Sequence, residues 1–260
     1  MKRLFAAIAI LAISLSAAAA AQADDLANIL SKGVVRIGVP VDVPPFGSQD
    51  ANRNPVGLDV ELAQMIGKAL GVKVELQQIT GANRIPYLLT NKIDIVIAAL
   101  GMTPERAKQI TYTSPYADTY DAVYGPKSAH VTSAAELGKL KVALTKGTTQ
   151  DIELTGMNAD GNFMRTEDDA TAATAYMSGQ ADLFATNSLV VQELQKQNPG
   201  KEFDRKFVLA RGPAHMGVRM GEQNLANWLN VFIYSIAMSG ELDKLTQKYL
   251  GHPYEQLPAL

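Results

Sequence analysis

The chain has 260 residues, with 24 Lys and Arg against 26 Asp and Glu, three histidines and no cysteine. A formal charge of −2 with no basic run argues against nucleic acid as a partner. The lack of cysteine excludes a disulfide framework, thiolate zinc sites, a thiol nucleophile and an acylated cysteine, and a chain of this length buries a core without such staples.

The first 23 residues read as a secretory signal. Lys2 and Arg3 precede an apolar run from Leu4, and Ala21-Gln22-Ala23 has the A-x-A form of a cleavage site. A transmembrane anchor is the alternative, but the apolar core is short beside the ~20 residues a span needs. A mature chain beginning at Asp24, outside the cytoplasmic membrane, is expected. VVRIGV (34–39) then reads as a buried strand and leads into the Pro-rich bend VPVDVPPFGS. LDVELAQMIGKAL (58–70) sets Leu58, Leu62, Met65, Ile66, Ala69 and Leu70 on one face at helical spacing. VKVELQQI alternates as a strand, ANRIPYLLTN is helical with Pro86 in its first turn, and IDIVIAAL (93–100) is a buried strand. A short helix opens at 104 and the strand ITYTS follows. This β-α-β-α-β order predicts a parallel sheet flanked by helices.

A second series begins near 140. KVALT is a strand, GTTQDIELTG and DDATAATAYMSG are helical, ADLFAT is a strand, NSLVVQELQKQ a helix and KFVLA a strand. HMGVRM (215–220) precedes a long helix carrying Leu225, Trp228, Leu229, Phe232 and Ile236 on one stripe, and ELDKLTQKYLG closes the chain. Two unequal βαβ units predict two lobes. YGPKSA (124–129) and RGPAH (211–215) flank the second series as Gly-Pro breaks, readable as ordinary turns or as paired crossovers.

One residue sits oddly. In LGMTPERAKQI (100–110) Thr103 is placed as a helix N-cap, with Pro104 and Glu105 suited to the first turn. Arg106 then falls where a cation opposes the positive end of the helix dipole. Taken alone it reads as an exposed surface arginine. A bound anion would give it another purpose.

Five motifs in order, PPFGSQDANRNPVGLDVELAQMIGKALGV, NKIDIVIAALGMTPERAKQITYTSPY, KVALTKGTTQ, SGQADLFATN and SGELDKLTQKYLG, resemble the polar amino-acid family of periplasmic substrate-binding proteins that feed ABC importers. The likeness spans essentially the whole chain after the signal. It implies a type II periplasmic binding fold of two α/β lobes, each a mostly parallel sheet flanked by helices, joined by two crossover strands. Residues 24–120 and 212–260 would form one lobe and 121–211 the other, with hinges near Thr119–Asp121 and Arg211–Pro213. It implies a monomer in the periplasm that takes a polar amino acid or small carboxylate into the interlobe cleft and delivers it to an inner-membrane ABC permease, with no cofactor and no metal.

The resemblance also implies site residues. Arg106 matches the arginine that grips a ligand α-carboxylate, a task suited to a guanidinium fork beside helix-start N–H groups. Gly101 and Met102 would offer backbone groups beside it, where relatives often carry a hydroxyl. Thr148 and Thr149, after Gly147, match a hydroxyl-bearing helix start in the second lobe, although Thr148 suits a plain N-cap equally well. Asn187 stands where relatives usually place an aspartate for the α-ammonium group, so a charge is missing: either Asp42, Asp168 or Asp169 replaces it, or the ligand's nitrogen is absent or substituted. Val43 and Gly81 stand where aromatic clamps occur in basic- and amide-ligand binders. Arg84, in TGANRIP, matches an arginine that reaches a side-chain carboxylate in acidic binders, and reads equally as a solvated helix residue. Pro40 departs from that pattern. An acidic amino acid or its amide is the favoured ligand on this reading.

Two rivals remain. Periplasmic cyclohexadienyl dehydratases resemble the same fold but use a glutamate acid where this chain has Val190, which donates no proton. His130, His215 and His252 are scattered, and no HExxH, GxSxG, Walker or EF-hand pattern occurs. A ligand-sensing module of the same fold is the other rival, and such modules are usually tethered to a membrane segment.

Overall fold

The apolar runs become the strands of two five-stranded sheets in a computed structural model that describes residues 24–158 and 160–255. The expected signal lies outside these residues. No helix among them is long and apolar enough to cross a membrane.

The first sheet has the order β4-β1-β5-β12-β6, built from β1 (Val34–Val39), β4 (Lys73–Gln78), β5 (Ile95–Leu100), β6 (Ile110–Ala117) and β12 (Ala214–Arg219). β1 pairs in parallel with β4 and β5, and β12 runs antiparallel between β5 and β6. Strand alternation decides the layers. Ile95 and Ile97 join one cluster with α1 (Asp25–Lys32), α2 (Leu58–Leu70), α8 (Gln223–Met238) and α9 (Glu241–Leu250). Val96, Ala98 and Leu100 join the opposite cluster with Leu88 of α3 (Arg84–Leu89). A two-stranded hairpin, β2 (Ser48–Gln49) with β3 (Pro55–Val56), stands apart.

The second sheet has the order β11-β7-β10-β8-β9. Its strands are β7 (Tyr120–Gly125), β8 (Val142–Thr145), β9 (Phe163–Thr166), β10 (Leu183–Asn187) and β11 (Asp204–Arg211). Only β7 opposes the common direction. One face packs α6 (Asp169–Met177) and α7 (Ser188–Gln197). The other packs α5 (Thr149–Met157) and a 3-10 turn at Ala134–Glu136.

The chain leaves the first sheet between Ala117 and Tyr120 and returns between Arg211 and Ala214. Gly212-Pro213 therefore lies at a passage between sheets. Gly125-Pro126 does not: it ends β7 inside the second sheet, because a strand absent from the sequence reading precedes it. The buried face of α2 also differs from expectation. Ala69 is exposed, whereas Ala63 and Gly67 are buried. Gly67 meets β4 so closely that a Cβ there would lie 2.1 Å from Val74 Cγ2, so contact distance, not hydropathy, sets that face.

Candidate functional site

The cleft between the sheets gathers groups from both sides. A cavity of about 30 Å³ is lined by Val43, Arg84, Ala98, Ala99, Asp121, Thr148, Thr149, Gln150, Asp169, Thr186 and Asn187. That holds one or two waters. An amino acid enters only if the walls part.

Arg106 lies in α4 (Pro104–Ala107), a single turn whose N-cap Thr103 accepts from Arg106 N at 3.2 Å. It is buried, 4 % exposed, and its guanidinium spans the cleft. Nη1 donates to Gly101 O at 2.7 Å and to Thr149 Oγ1 at 3.3 Å, and Nη2 to Gly147 O at 2.8 Å. These contacts use three of a guanidinium's five N–H groups. Burial, followed by the charge of Arg84, lowers its pKa to about 10.

Gly101 is thus beside Arg106, through its carbonyl. Its missing Cβ matters, because one built there would stand 2.7 Å from Thr149 Oγ1. Gly81 is similar: a Cβ would lie 2.8 Å from Lys146 O, so the turn ahead of α5 occupies the space an aromatic clamp would need. Met102 is 40 % exposed and lines neither the cavity nor the adjoining groove, so any part it plays beside Arg106 falls to its backbone.

Arg84 is not a solvated residue. It is buried, and Nη1 donates to Ala98 O at 3.0 Å while its buried Nε has no partner. The other side of the same peptide is held by Ala99 N, which donates to Asp59 Oδ2 at 3.0 Å and to Tyr116 Oη at 3.1 Å. Tyr116 in turn donates to Asp59 Oδ1 at 2.8 Å. Burial pushes the Asp59 carboxyl up to about 7, against the pull of those two hydrogen bonds. The clamp holds Ala99 at φ 43, where few side-chain-bearing residues sit.

In the second lobe Thr148 is an N-cap. Its hydroxyl donates to Thr145 O at 2.7 Å and accepts from Asp151 N at 3.3 Å, so its proton is committed to the backbone. Thr149 presents its hydroxyl to Arg106. Asn187 departs from its expected part. It caps α7, and its Oδ1 accepts from Leu189 N at 3.0 Å and from Thr119 Oγ1 at 2.7 Å, which leaves no lone pair for a ligand ammonium.

Asp42 lines an adjoining groove rather than the cavity. Its Oδ2 accepts from Asp169 N at 2.8 Å, a contact from the first lobe to the first turn of α6, while its buried Oδ1 has no partner. Burial raises its pKa. Asp169 reaches the cavity wall, and burial, then the neighbouring Asp42, pushes it up to about 7. Asp168 caps α6 through Thr171 N and is not on that wall.

Gln150 and Asp121 are the hydrogen-bonding pair among the cavity residues that escaped the sequence reading. Gln150 follows the two threonines, and its Nε2 donates to Asp121 Oδ1 at 2.8 Å. Position after a helix-start motif was its signal. Asp121 lies on β7, in a segment taken for hinge. Among the described residues no group of three or more metal-ligating side chains occurs. His215 is buried in the first sheet, with Nδ1 2.7 Å from Thr113 O, away from the cavity.

The signature of the bacterial extracellular solute-binding proteins, family 3, matches residues 35–252. A glutamine-binding protein of an ABC transporter in Bacillus subtilis is 26 % identical, covering 87 % of this chain and 85 % of that one. The crystal structure of a cysteine-binding protein from Campylobacter jejuni superposes with a TM-score of 0.82 at 29 % identity, over 90 % of this chain and 96 % of that one. An ancestral amino acid-binding protein, described as a precursor of cyclohexadienyl dehydratase, superposes at 0.78 with 31 % identity over 86 % and 98 %. The two mixed sheets with their helices form the two-lobed type II periplasmic binding fold, and the chain belongs to the bacterial extracellular solute-binding proteins, family 3.

Proposed function

We propose that this protein captures a small polar α-amino acid between its lobes, outside the cytoplasmic membrane, and hands it as a monomer to an ABC permease of the inner membrane. The lobes would divide at 118–119 and 212–213, the two passages between sheets. Arg106 carries the reading. A buried guanidinium with hydrogen bonds to both lobes, and with the Tyr112 hydroxyl beside it, does not use its whole fork on these contacts, and a carboxylate is the anion such a fork takes in a bidentate pair. Docking a carboxylate there ties closure to occupancy, so binding shifts a population toward the closed form that a permease reads.

The side-chain end of the cleft narrows the ligand. Arg84 acts electrostatically on Asp42, Asp121 and Asp169 together. Of these acids Asp169 is the one on the cavity wall at the side-chain end, with Asp42 behind it in the groove, so a second ligand carboxylate would meet like charge beside the arginine and an uncharged polar or cationic side chain suits the cleft better than an acidic one. An amide stays within this class. Val190 is buried and lines the adjoining groove, so no proton donor stands where a dehydratase would need its acid, which supports capture over catalysis.

The test is a thermal-shift screen of protein refolded after ligand stripping, against the common L-amino acids, with Arg106→Ala beside the wild type. A ligand at ~100 times its dissociation constant adds about 2.7 kcal/mol and raises Tm by a few degrees. The expected result is a shift with a polar amino acid that Arg106→Ala abolishes. A variant that responds as the wild type does, or silence toward every amino acid, overturns the reading.

A further inference from the structure

Asn187 and Asp121 are register partners across the antiparallel pair β10–β7. Residues directly opposite in such a pair have neighbouring side chains on one face. Here they touch: Asn187 Nδ2 donates to Asp121 Oδ1 at 3.4 Å. Gln150 Nε2 donates to the same oxygen at 2.8 Å. Among the described residues no hydrogen bond reaches Oδ2. Thr119 and Leu189 N meanwhile occupy both lone pairs of the Asn187 amide oxygen.

We infer that Asp121 receives the α-ammonium group of the bound amino acid on its Oδ2, with Gln150 and Asn187 holding the carboxylate in position. The charge missing at 187 is supplied one strand across. This rests on the amino-acid reading given above.

Asp169 is the competing carboxylate on the cavity wall, and proximity to Arg106 decides between them. The α-carboxylate and α-ammonium groups share one carbon, so the ammonium receptor must lie close to the carboxylate grip. Arg106 is the strongest charged influence on Asp121. Asp169 feels Asp42, Arg84 and Asp168, the residues of the side-chain end. Burial pushes the Asp121 carboxyl up to about 7 even with two arginines nearby. An arriving ammonium ion adds to the counter-charge of the two arginines and offsets the remaining cost of burial.

Isothermal titration with the twenty common L-amino acids and their α-hydroxy acid counterparts tests the assignment on the wild type, Asp121→Asn, and the exchange Asp121→Asn with Asn187→Asp. Asp121→Asn should weaken the best amino acid by about 30-fold or more, since a charge-assisted bond to a buried ion becomes a neutral one. It should leave the matching hydroxy acid little changed, and the exchange should recover part of the loss. If Asp121→Asn does not fold, Gln150→Leu should give the same split between amine and hydroxyl ligands with a smaller factor. Wild-type affinity for the amino acid in the variant that folds overturns the inference alone. So does an equal loss of amino and hydroxy acid, which would mark a structural role. A wild type that binds none of the twenty overturns the amino-acid reading together with it.

Discussion

Arg106 shows how far a residue's surroundings outrun its local sequence. It stands where a cation opposes a helix dipole, yet α4 is only four residues, too short for its dipole to matter much. What makes the arginine unusual is burial between two lobes with carbonyls as its partners. Geometry matters there as well as charge, so Arg106→Lys, which keeps the charge and loses the planar fork, should still cost about 1.5–3 kcal/mol of amino-acid affinity. Near-wild-type titration of that variant would mean that charge alone suffices. Asp121 sets the pH dependence. Its carboxyl is raised to about 7, so below that pH it carries a proton that an ammonium ligand must displace. Affinity should fall as pH drops from 7 to 5, by at most about tenfold per unit. Arg106, Arg84, Asn187, Gln150 and Glu153 surround it and the first four favour its charged form or hold it by hydrogen bond, while Asp169 titrates over the same range. Titrating Asp121→Asn over the same pH range separates the two, because only the Asp121 share of the slope disappears. The caps at Thr103 and Thr148 were legible in sequence because a cap is a local pattern. The parts played by Asn187 and Asp121 were not, because they depend on which lone pairs a neighbouring strand already uses.

At the scale of elements, the sequence pattern located most strands and helices where apolar periodicity was strong. It missed β7, and with it Asp121, because TYDAVYG lies where a hinge was expected. It also missed what holds the strand end at the site. The peptide between Ala98 and Ala99 is clamped by Arg84 on its oxygen and by Asp59 and Tyr116 on its nitrogen, from three separate elements. Tyr116→Phe removes a partner from both Asp59 and Ala99 N, and should cost about 1–3 kcal/mol of stability in denaturant unfolding. A variant of unchanged midpoint would show that the clamp contributes nothing to folding. The turn ahead of α5 makes the complementary case. It comes so close to Gly81 and Gly101 that side chains there would keep the lobes apart, and Gly147 in it sits at φ 71. Gly101→Ala should therefore weaken ligand binding while leaving the unfolding midpoint nearly unchanged, because the clash exists only when the lobes meet. Equal affinity with the added methyl would mean that functional closure stops short of this contact.

At the scale of the molecule, buried and half-buried carboxylates tie stability and closure to pH and charge. Asp59, Asp121 and Asp169 all have folded pKa values raised to about 7, from an ordinary value near 3.8. A raised acid favours its protonated form in the fold, and Asp59 is buried within the first lobe whether the cleft is open or shut, so through it the ligand-stripped protein should lose stability as pH climbs from about 4 to about 7 and level off above that. Thermal melts across that range showing rising stability would reverse the assignment. Asp42 acts on closure instead. It belongs to the bend after β1, yet its carboxylate accepts from Asp169 N at the start of α6, a nine-residue helix on the other sheet. An anion at a helix N-terminus is stabilised by unpaired N–H groups and by the dipole. With Arg106 to Gly147 and Thr149, it makes one of the polar contacts that join the two lobes. Asp42 lies on the groove side, away from Arg106, so it can bias the lobes together without taking the ligand carboxylate's place. Asp42→Ala should therefore shift the stripped protein toward open forms, seen as a larger radius of gyration in small-angle X-ray scattering. It should also lower amino-acid affinity by the same factor for every ligand, because a penalty on closure is indifferent to the side chain enclosed. A loss confined to particular side chains would instead make Asp42 a specificity residue that contacts the ligand, and an unchanged radius with unchanged affinity would leave Arg106 as the main polar tie across the cleft.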